Sequence, residues 1–212
     1  MIRRVLALYK TDLSLHQAEI LKNFTDPAEQ ERILELFQSI VFKLEKNLYH
    51  LNNINFSIEN ASEKNDFFSL MQLYFELENF LISTRSSVDM VMHLINYCLE
   101  LNIDDNTVAV STVYRSKKLP KPMKDIFNRY TTPYNNPTWS FIYLLRNEVV
   151  HEKSIYQVLP IYFKPVLDSN FLYMKTNSGE KEMMDHLKVC LRFLDTFVDR
   201  VLSILTITTA KK

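Results

Sequence analysis

The chain has 212 residues, of which 47% are hydrophobic and 24% charged, so it is long and apolar enough for one domain with a sizeable core. Lys plus Arg and Asp plus Glu number 25 each, and the formal net charge at pH 7 is zero. Bulk positive charge therefore does not hold this protein on nucleic acid, and any RNA or DNA site must be local.

Glycine and cysteine usage excludes several classes of site. Gly179 is the only glycine, which rules out the glycine-rich phosphate loops of Walker A and dinucleotide-binding motifs and favours long helices. The two cysteines, Cys98 and Cys190, have no CxxC spacing, so we predict buried free thiols in a reducing, cytoplasmic compartment. Apolar runs are too short for a signal-peptide core or a transmembrane helix, and no membrane partner is expected.

The first half of the chain is predicted to form two long helices. Residues 1 to about 24 are compatible with a short helix or a strand. Asp26 then caps a helix that starts at Pro27, and apolar residues at three-and-four spacing continue to about residue 58. A polar turn at 60–66 separates this helix from a second one, predicted to run from about residue 67 to residue 101.

The second half is mixed. We predict a basic stretch within 102–136, which Pro120 and Pro122 interrupt, and then a helix over 137–153. A hairpin of two extended segments follows over about 155–176, and a last helix over about 180–205. The fold class is therefore mainly α: an up-and-down helical bundle of four to five long helices with a small β-hairpin insertion. Residues 1–212 form a single domain in this prediction.

The helix over 137–153, PTWSFIYLLRNEVVHEK, combines an apolar surface with charged groups. Asn136 is a good N-cap and Pro137 suits the first helical position. Apolar residues cover most of the circumference, which predicts the most buried helix of the chain, yet Arg146, Asn147 and His151 lie near its end. A buried helix accepts an arginine and a histidine only when they are paired or have a function.

The segment RNEVVH, from Arg146 to His151, resembles the Arg-x(4–6)-His signature of HEPN domains, the higher-eukaryote and prokaryote nucleotide-binding family. Its place late in a predicted helical bundle is similar too, and Asn147 matches the polar residue that often follows the arginine. The resemblance implies a helical domain with metal-independent endoribonuclease activity on RNA. It also implies a homodimer in which the motifs of two subunits meet, with Arg146, Asn147 and His151 as catalytic residues.

These residue types fit RNA cleavage on chemical grounds as well. Histidine can transfer protons near neutral pH, a contribution of about 10²–10⁴ in rate. Arg146 offers a planar, permanently charged group for phosphate oxygens, and Asn147 can orient the imidazole or the phosphate. Arg146 and His151 lie about 140° apart around an ideal helix, so a long arginine side chain or a second subunit must bring both to one phosphate. The alternative is an arginine that pairs with Glu148, Glu152 or another helix.

A charged stripe on the second long helix is the next candidate. Glu78, Arg85 and Asp89 follow at spacings of seven and four, which places them on one face, with His93 beside them. We predict that Asp89 or Glu78 pairs with Arg146 or His151 and orients it. The alternative is a solvated, ion-paired helix face, which contributes little to stability.

The basic stretch over residues 115–129 is a candidate RNA groove. Four lysines would contact phosphates, and Tyr114, Phe127 and Tyr130 would stack on bases. The lysines are Lys117, Lys118, Lys121 and Lys124. A charged surface loop is the alternative interpretation.

Together these patterns predict a candidate metal-independent endoribonuclease of the HEPN type that leaves a 2′,3′-cyclic phosphate. We also predict a toxin or phage-defence role, with an antitoxin protein as a partner. The alternative is a HEPN-like module that binds a nucleotide or a protein without cleaving RNA. No HExxH or CxxC spacing occurs, so we predict neither a metal nor a cofactor. The directions of the Arg146 and His151 side chains distinguish the two functions.

Overall fold

The chain folds mainly into α-helices with a small antiparallel sheet, as the sequence predicts. The computed structural model describes residues 9–64, 67–132, 135–151, 155–166, 169–176 and 179–210. The helices are α1 (Leu13–Leu21), α2 (Pro27–Lys64), α3 (Phe67–Cys98), α4 (Val110–Arg115), α5 (Lys121–Tyr130), α6 (Pro137–His151), α7 (Ile155–Val158) and α8 (Met183–Thr209), with a 3-10 helix at Asp105–Thr107. The strands are β1 (Ile161–Val166), β2 (Ser169–Thr176) and β3 (Gly179–Glu182).

Side-chain caps begin the helices where the sequence predicts them. Asp26 Oδ1 accepts a hydrogen bond from the Ala28 N–H at 3.0 Å at the start of α2. Asn136 Oδ1 accepts one from the Trp139 N–H at 3.0 Å at the start of α6. Because the first N–H groups of a helix have no partner within it, these caps determine where each helix starts. Both predicted caps are confirmed.

Two helix boundaries differ from the prediction. The first long helix, α2, continues to Lys64 and includes residues predicted as a turn. Asn65 and Asp66, the rest of that predicted turn, lie outside the described residues. Pro122 was expected to interrupt the basic stretch, but α5 begins at Lys121 and holds this proline in its first turn. A proline is tolerated there because the N–H that it lacks would have had no intrahelical partner.

The two longest helices, α2 and α3, form an antiparallel hairpin with a polar layer inside it. The buried Asn47 donates to Ser87 Oγ at 3.0 Å. Nearer the turn, Glu76 accepts hydrogen bonds from His50 Nδ1 at 2.7 Å and from Asn53 Nδ2 at 3.1 Å. Buried polar groups need such partners, so this layer fixes the register of the two helices.

The last helix, α8, packs on the other side of α3 and carries much of the core. Phe193 and Phe197 on α8 stack on each other, with ring centroids 6.4 Å apart. Phe127 of α5 stacks on Phe197, and Trp139 of α6 lies against Phe193. This aromatic cluster joins α5, α6 and α8, and it fixes the position of α6 beside α3. Cys98 and Cys190 are buried free thiols, as predicted.

The predicted hairpin is a sheet of three strands in the order β1-β2-β3. The sequence placed residues 180–182 in the last helix, but they pair with β2, for example Tyr173 with Glu182, and α8 begins at Met183. Gly179 has φ 103° and starts β3. Glu182 then caps α8 by accepting from the Asp185 N–H at 2.6 Å. Residues 167–168 and 177–178, between the strands, lie outside the described residues.

The segment before α1 is anchored to α8. The buried carboxylate of Asp195 accepts hydrogen bonds from the backbone N–H groups of Lys10 and Thr11, both at 3.0 Å. Asp12 then caps α1, so the described part of the ambiguous first 24 residues contains a short helix, and residues 1–8 lie outside the described residues. In the part of the chain that the structure describes, no helix is long and apolar enough to cross a membrane.

Glu76→Ala should destabilise the α2–α3 hairpin. The substitution removes the acceptor of both His50 and Asn53 and leaves buried donors without partners, at a cost of about 1–3 kcal/mol. Urea denaturation followed by circular dichroism measures the change in unfolding free energy. Glu45→Ala, at an exposed position on the other helix of the hairpin, α2, is the matched control, with an expected change within about 0.5 kcal/mol. Equal effects of the two substitutions would contradict the assigned role of Glu76.

Candidate functional site

The charged residues of α3 and α6 meet where the two helices pack together. Arg85, Asp89 and His93 follow one another at four-residue intervals on α3, so they form one row. On α6, Trp139, Ile142 and Leu145 are buried against the core. Arg146 lies at the edge of that buried face and its charge acts on Arg85 and Asp89. We call Arg85, Asp89 and Arg146 the arginine cluster.

Arg85 is the most enclosed member of the arginine cluster, with 10% of its side chain exposed. Its guanidinium carbon lies 5.0 Å from the centre of the Trp139 ring and 5.7 Å from that of Tyr143. These are cation–π distances, and Arg is the residue that most often stacks in this way. Trp139 and Tyr143 were not predicted as site residues, although their spacing of four residues places them on one face of α6.

Asp89 faces Arg85 across an ion pair. Nη1 of Arg85 lies 2.8 Å from Oδ1 of Asp89, although the two groups are not aligned for a hydrogen bond. Burial lowers the pKa of Arg85, and the neighbouring charge of Arg146 lowers it further, while Asp89 raises it. Burial raises the pKa of Asp89, against the charges of Arg85, Arg146 and His93, which lower it. For both groups, desolvation therefore changes the pKa more than the attraction within the ion pair does. Such a balance is common where charged groups serve a function rather than stability.

Arg146 brings a second cation to the same carboxylate. Its side chain is half-buried, and Nη1 donates a hydrogen bond to Asn147 Oδ1 at 3.1 Å. Its Nε is buried and has no hydrogen-bond partner among the described residues. The charge of Arg146 acts on the carboxylate with which Arg85 pairs, so the arginine cluster has two cations, one carboxylate and an excess of positive charge.

The third residue of the motif, His151, ends α6. Its side chain lies outside the described part of the structure, so its predicted catalytic role stays a prediction. The prediction that α6 is the most buried helix is wrong, since Leu144 and Val150 are 45% and 42% exposed. One side of the helix covers the core and the opposite side, with Leu144, faces solvent. Helical geometry puts Asn147 nearer to the solvent side than Arg146.

The structure separates the other predicted site residues from the arginine cluster. Glu78 is half-buried and makes no ion pair or hydrogen bond with the described residues. Lys118 donates to the backbone oxygen of Glu100, just beyond the end of α3. From Arg85 to that end the helix rises about 20 Å. The lysines of the basic stretch are partly or fully exposed; they are Lys117, Lys118, Lys121 and Lys124.

The aromatic residues of the basic stretch also differ from the prediction. Phe127, expected to stack on bases, is 1% exposed and belongs to the core. Tyr130 packs against Phe193 and Phe197, and Tyr114 donates to Asn128 at 2.8 Å. Phe127 and Tyr130 are therefore packed on the core, whereas Tyr114 is 37% exposed. The basic stretch is therefore a charged surface whose aromatic residues mainly hold α5 on the core.

The arginine cluster is a partly open surface site. A groove of about 520 Å³ runs between α2 and α3, and one of about 290 Å³ lies between α5 and α8, but neither contains a member of the cluster. The side chain of Asp89 is 32% exposed, which gives solvent access to the row on α3. Among the described residues, no three His, Cys, Asp or Glu side chains are arranged to hold a metal ion.

Asp89→Asn should change how stability depends on pH. Because the folded-state pKa of Asp89 is raised above the ordinary 3.8, its protonated form contributes stability below pH 3.8 that is lost as the pH rises through the folded pKa. An asparagine at position 89 does not titrate, so the variant does not lose this stability as the pH rises. Its free energy of unfolding should therefore increase relative to that of wild type between acidic and neutral pH. Chemical denaturation across that range tests this. Asp185→Asn, whose side chain is 78% exposed, is the control and should change less. A pH-independent difference for Asp89→Asn would contradict the burial argument.

The arginine cluster has two cations and one carboxylate where α6 packs on α3. Its cations are held by packing contacts between α3 and α6, and its one carboxylate neutralises only part of their charge. Comparison of the chain with protein-family models, with curated proteins and with solved structures gives no match.

Proposed function

We propose that the protein is a metal-independent endoribonuclease of the HEPN type. The observation that carries this proposal is the positive excess of the arginine cluster, beside a helix that ends in the motif Arg146-Asn147-x-x-x-His151. A phosphodiester is the anion that such a pair of guanidinium groups suits best, because planar donors match phosphate oxygens. Partial burial strengthens the attraction, since fewer water molecules screen the charges.

In the proposed reaction, Arg146 binds the scissile phosphate and His151 transfers a proton. The ribose 2′-oxygen attacks the adjacent phosphorus while its proton passes to a base. The bond from phosphorus to the 5′-oxygen breaks, and that oxygen takes up a proton. The products are a 2′,3′-cyclic phosphate and a 5′-hydroxyl. Arg85 and Asp89 hold Arg146 in place and set the local charge, and Asn147 orients the arginine through its hydrogen bond.

The proposed function includes a homodimer, which the resemblance to HEPN domains implies and the placement of the motif on α6 supports. Arg146 turns towards α3, whereas His151 lies about 140° further round the helix, so one subunit presents them on different sides. The exposed Leu144 and Val150 supply apolar area for a second subunit on that side. The resemblance to HEPN domains adds a toxin or phage-defence role with an antitoxin partner. The free buried thiols favour a cytoplasmic setting.

RNA cleavage in the presence of EDTA tests the enzymatic proposal. Wild type should cleave, His151→Ala should lose about 10²–10⁴ in rate, and Arg146→Ala about 10²–10³. Gel analysis should reveal 2′,3′-cyclic phosphate ends. Arg192→Ala, which removes an exposed arginine of α8, should cleave like wild type. Cleavage that is absent in wild type, or unchanged in His151→Ala, would overturn the proposal.

Mixing two inactive variants tests the homodimer. If each active site combines Arg146 of one subunit with His151 of the other, a mixed dimer of Arg146→Ala and His151→Ala has one intact site. Random exchange of subunits should then restore about a quarter of the wild-type rate, because half of the dimers are mixed. Unfolding and refolding the variants together allows exchange, and size-exclusion chromatography confirms dimers. No recovery from a verified mixed dimer would contradict the shared site.

A HEPN-like module that binds a nucleotide or a protein without cleavage is the second candidate. The observation that favours it is that Arg85 pairs with Asp89, and Arg146 with its own neighbour Asn147, within one subunit. Titration of a labelled oligonucleotide separates the two functions. Binding that Arg146→Ala abolishes, without cleavage by wild type, would select the binding module.

A further inference from the structure

The row on α3 ends in a histidine that the HEPN resemblance does not include. His93 follows Asp89 by one helical turn, and its charge acts on the Asp89 carboxylate. Its side chain is 20% exposed and that of Asp89 is 32% exposed, so solvent reaches both groups. His93 thus adds an imidazole one helical turn from the Asp89 carboxylate of the arginine cluster, and imidazole, guanidinium and carboxylate are groups that phosphodiester-cleaving sites use.

A second carboxylate lies behind the His93 ring. Nδ1 of His93 is 3.6 Å from Oδ1 of Asp105, in the 3-10 helix that follows α3. This short helix is held against α3 by Asn96, whose side chain bonds both the N–H and the carbonyl of Ile103, at 3.1 and 2.9 Å. A carboxylate near Nδ1 favours the tautomer with hydrogen on Nδ1 and leaves the Nε2 lone pair available.

We propose that His93 is the general base of this site, in a further step that rests on the proposed ribonuclease function. Two proton transfers are needed, and one imidazole cannot perform both in a single displacement without changing its own protonation state midway. Nε2 of His93 accepts the proton of the 2′-hydroxyl as the 2′-oxygen attacks phosphorus. The leaving 5′-oxygen receives a proton from His151. Water then returns both histidines to their starting states.

The charges around His93 suit this role. Asp105, 3.6 Å from Nδ1, and Asp89, one helical turn before His93, are the carboxylates that face the imidazolium as it forms, while Arg85 and Arg146 bind the phosphate of the substrate.

Cleavage kinetics of His93→Gln test the assignment. Its single-turnover rate on RNA in EDTA should fall by about 10²–10⁴, and the pH–rate profile should lose the limb on which the wild-type rate rises with pH. His93→Ala should regain part of its rate on addition of free imidazole, which a merely structural histidine would not do. His16→Gln is the matched control. It removes a partly buried histidine beside an aspartate, Asp199, outside the arginine cluster, and should cleave within about twofold of wild type.

A substrate with sulfur in place of the scissile 5′-oxygen separates the base from the acid. A leaving thiolate needs little protonation, so His151→Ala should recover most of the wild-type rate on this RNA. His93→Gln should stay slow, because the 2′-hydroxyl must still lose its proton. If wild type and His93→Gln cleave equally well, only the role of His93 is overturned. If wild type cleaves neither RNA, this role and the proposed function are both overturned.

Discussion

The burial of one guanidinium group is the constraint on which the candidate site depends. Arg85 lies between the rings of Trp139 and Tyr143 and the carboxylate of Asp89, with only 10% of its side chain exposed. A buried cation requires compensation, and the aromatic faces and the carboxylate together supply it. Because the rings belong to α6 and the other two groups to α3, this contact also fixes how the helices pack. It thereby determines where Arg146 is placed.

The electrostatics of this site favour ligand binding over stability. Burial shifts the pKa of Arg85 downward and that of Asp89 upward, so each group is held in its charged form at a cost. A second guanidinium, from Arg146, adds to the positive charge without adding a carboxylate. A folded protein gains little from such an arrangement, whereas an anion gains a preformed and partly desolvated binding site. The proposed phosphate chemistry is based on this arrangement.

Long helices and a lack of glycine shape how the site is built. The polar layer between Asn47 and Ser87, and the network around Glu76, fix the α2–α3 hairpin, which presents the row of Arg85, Asp89 and His93. The aromatic cluster of α5, α6 and α8 then holds α6 against that row. A rigid helical scaffold suits a catalytic group that must be placed to within a fraction of an ångström.

The sequence by itself determined the features that depend on neighbouring residues. The caps at Asp26 and Asn136, the apolar periodicity and the single glycine predicted the long helices and the mainly α fold, because such signals act within a few residues. Only the tertiary structure decided which side chains meet Arg146. It brought Arg85 and Asp89 there instead of Glu78, and it placed Phe127 in the core. The pairing of β3 with β2 was likewise decided by contacts along the sheet. These outcomes depend on packing between segments far apart in the chain, which local patterns do not encode.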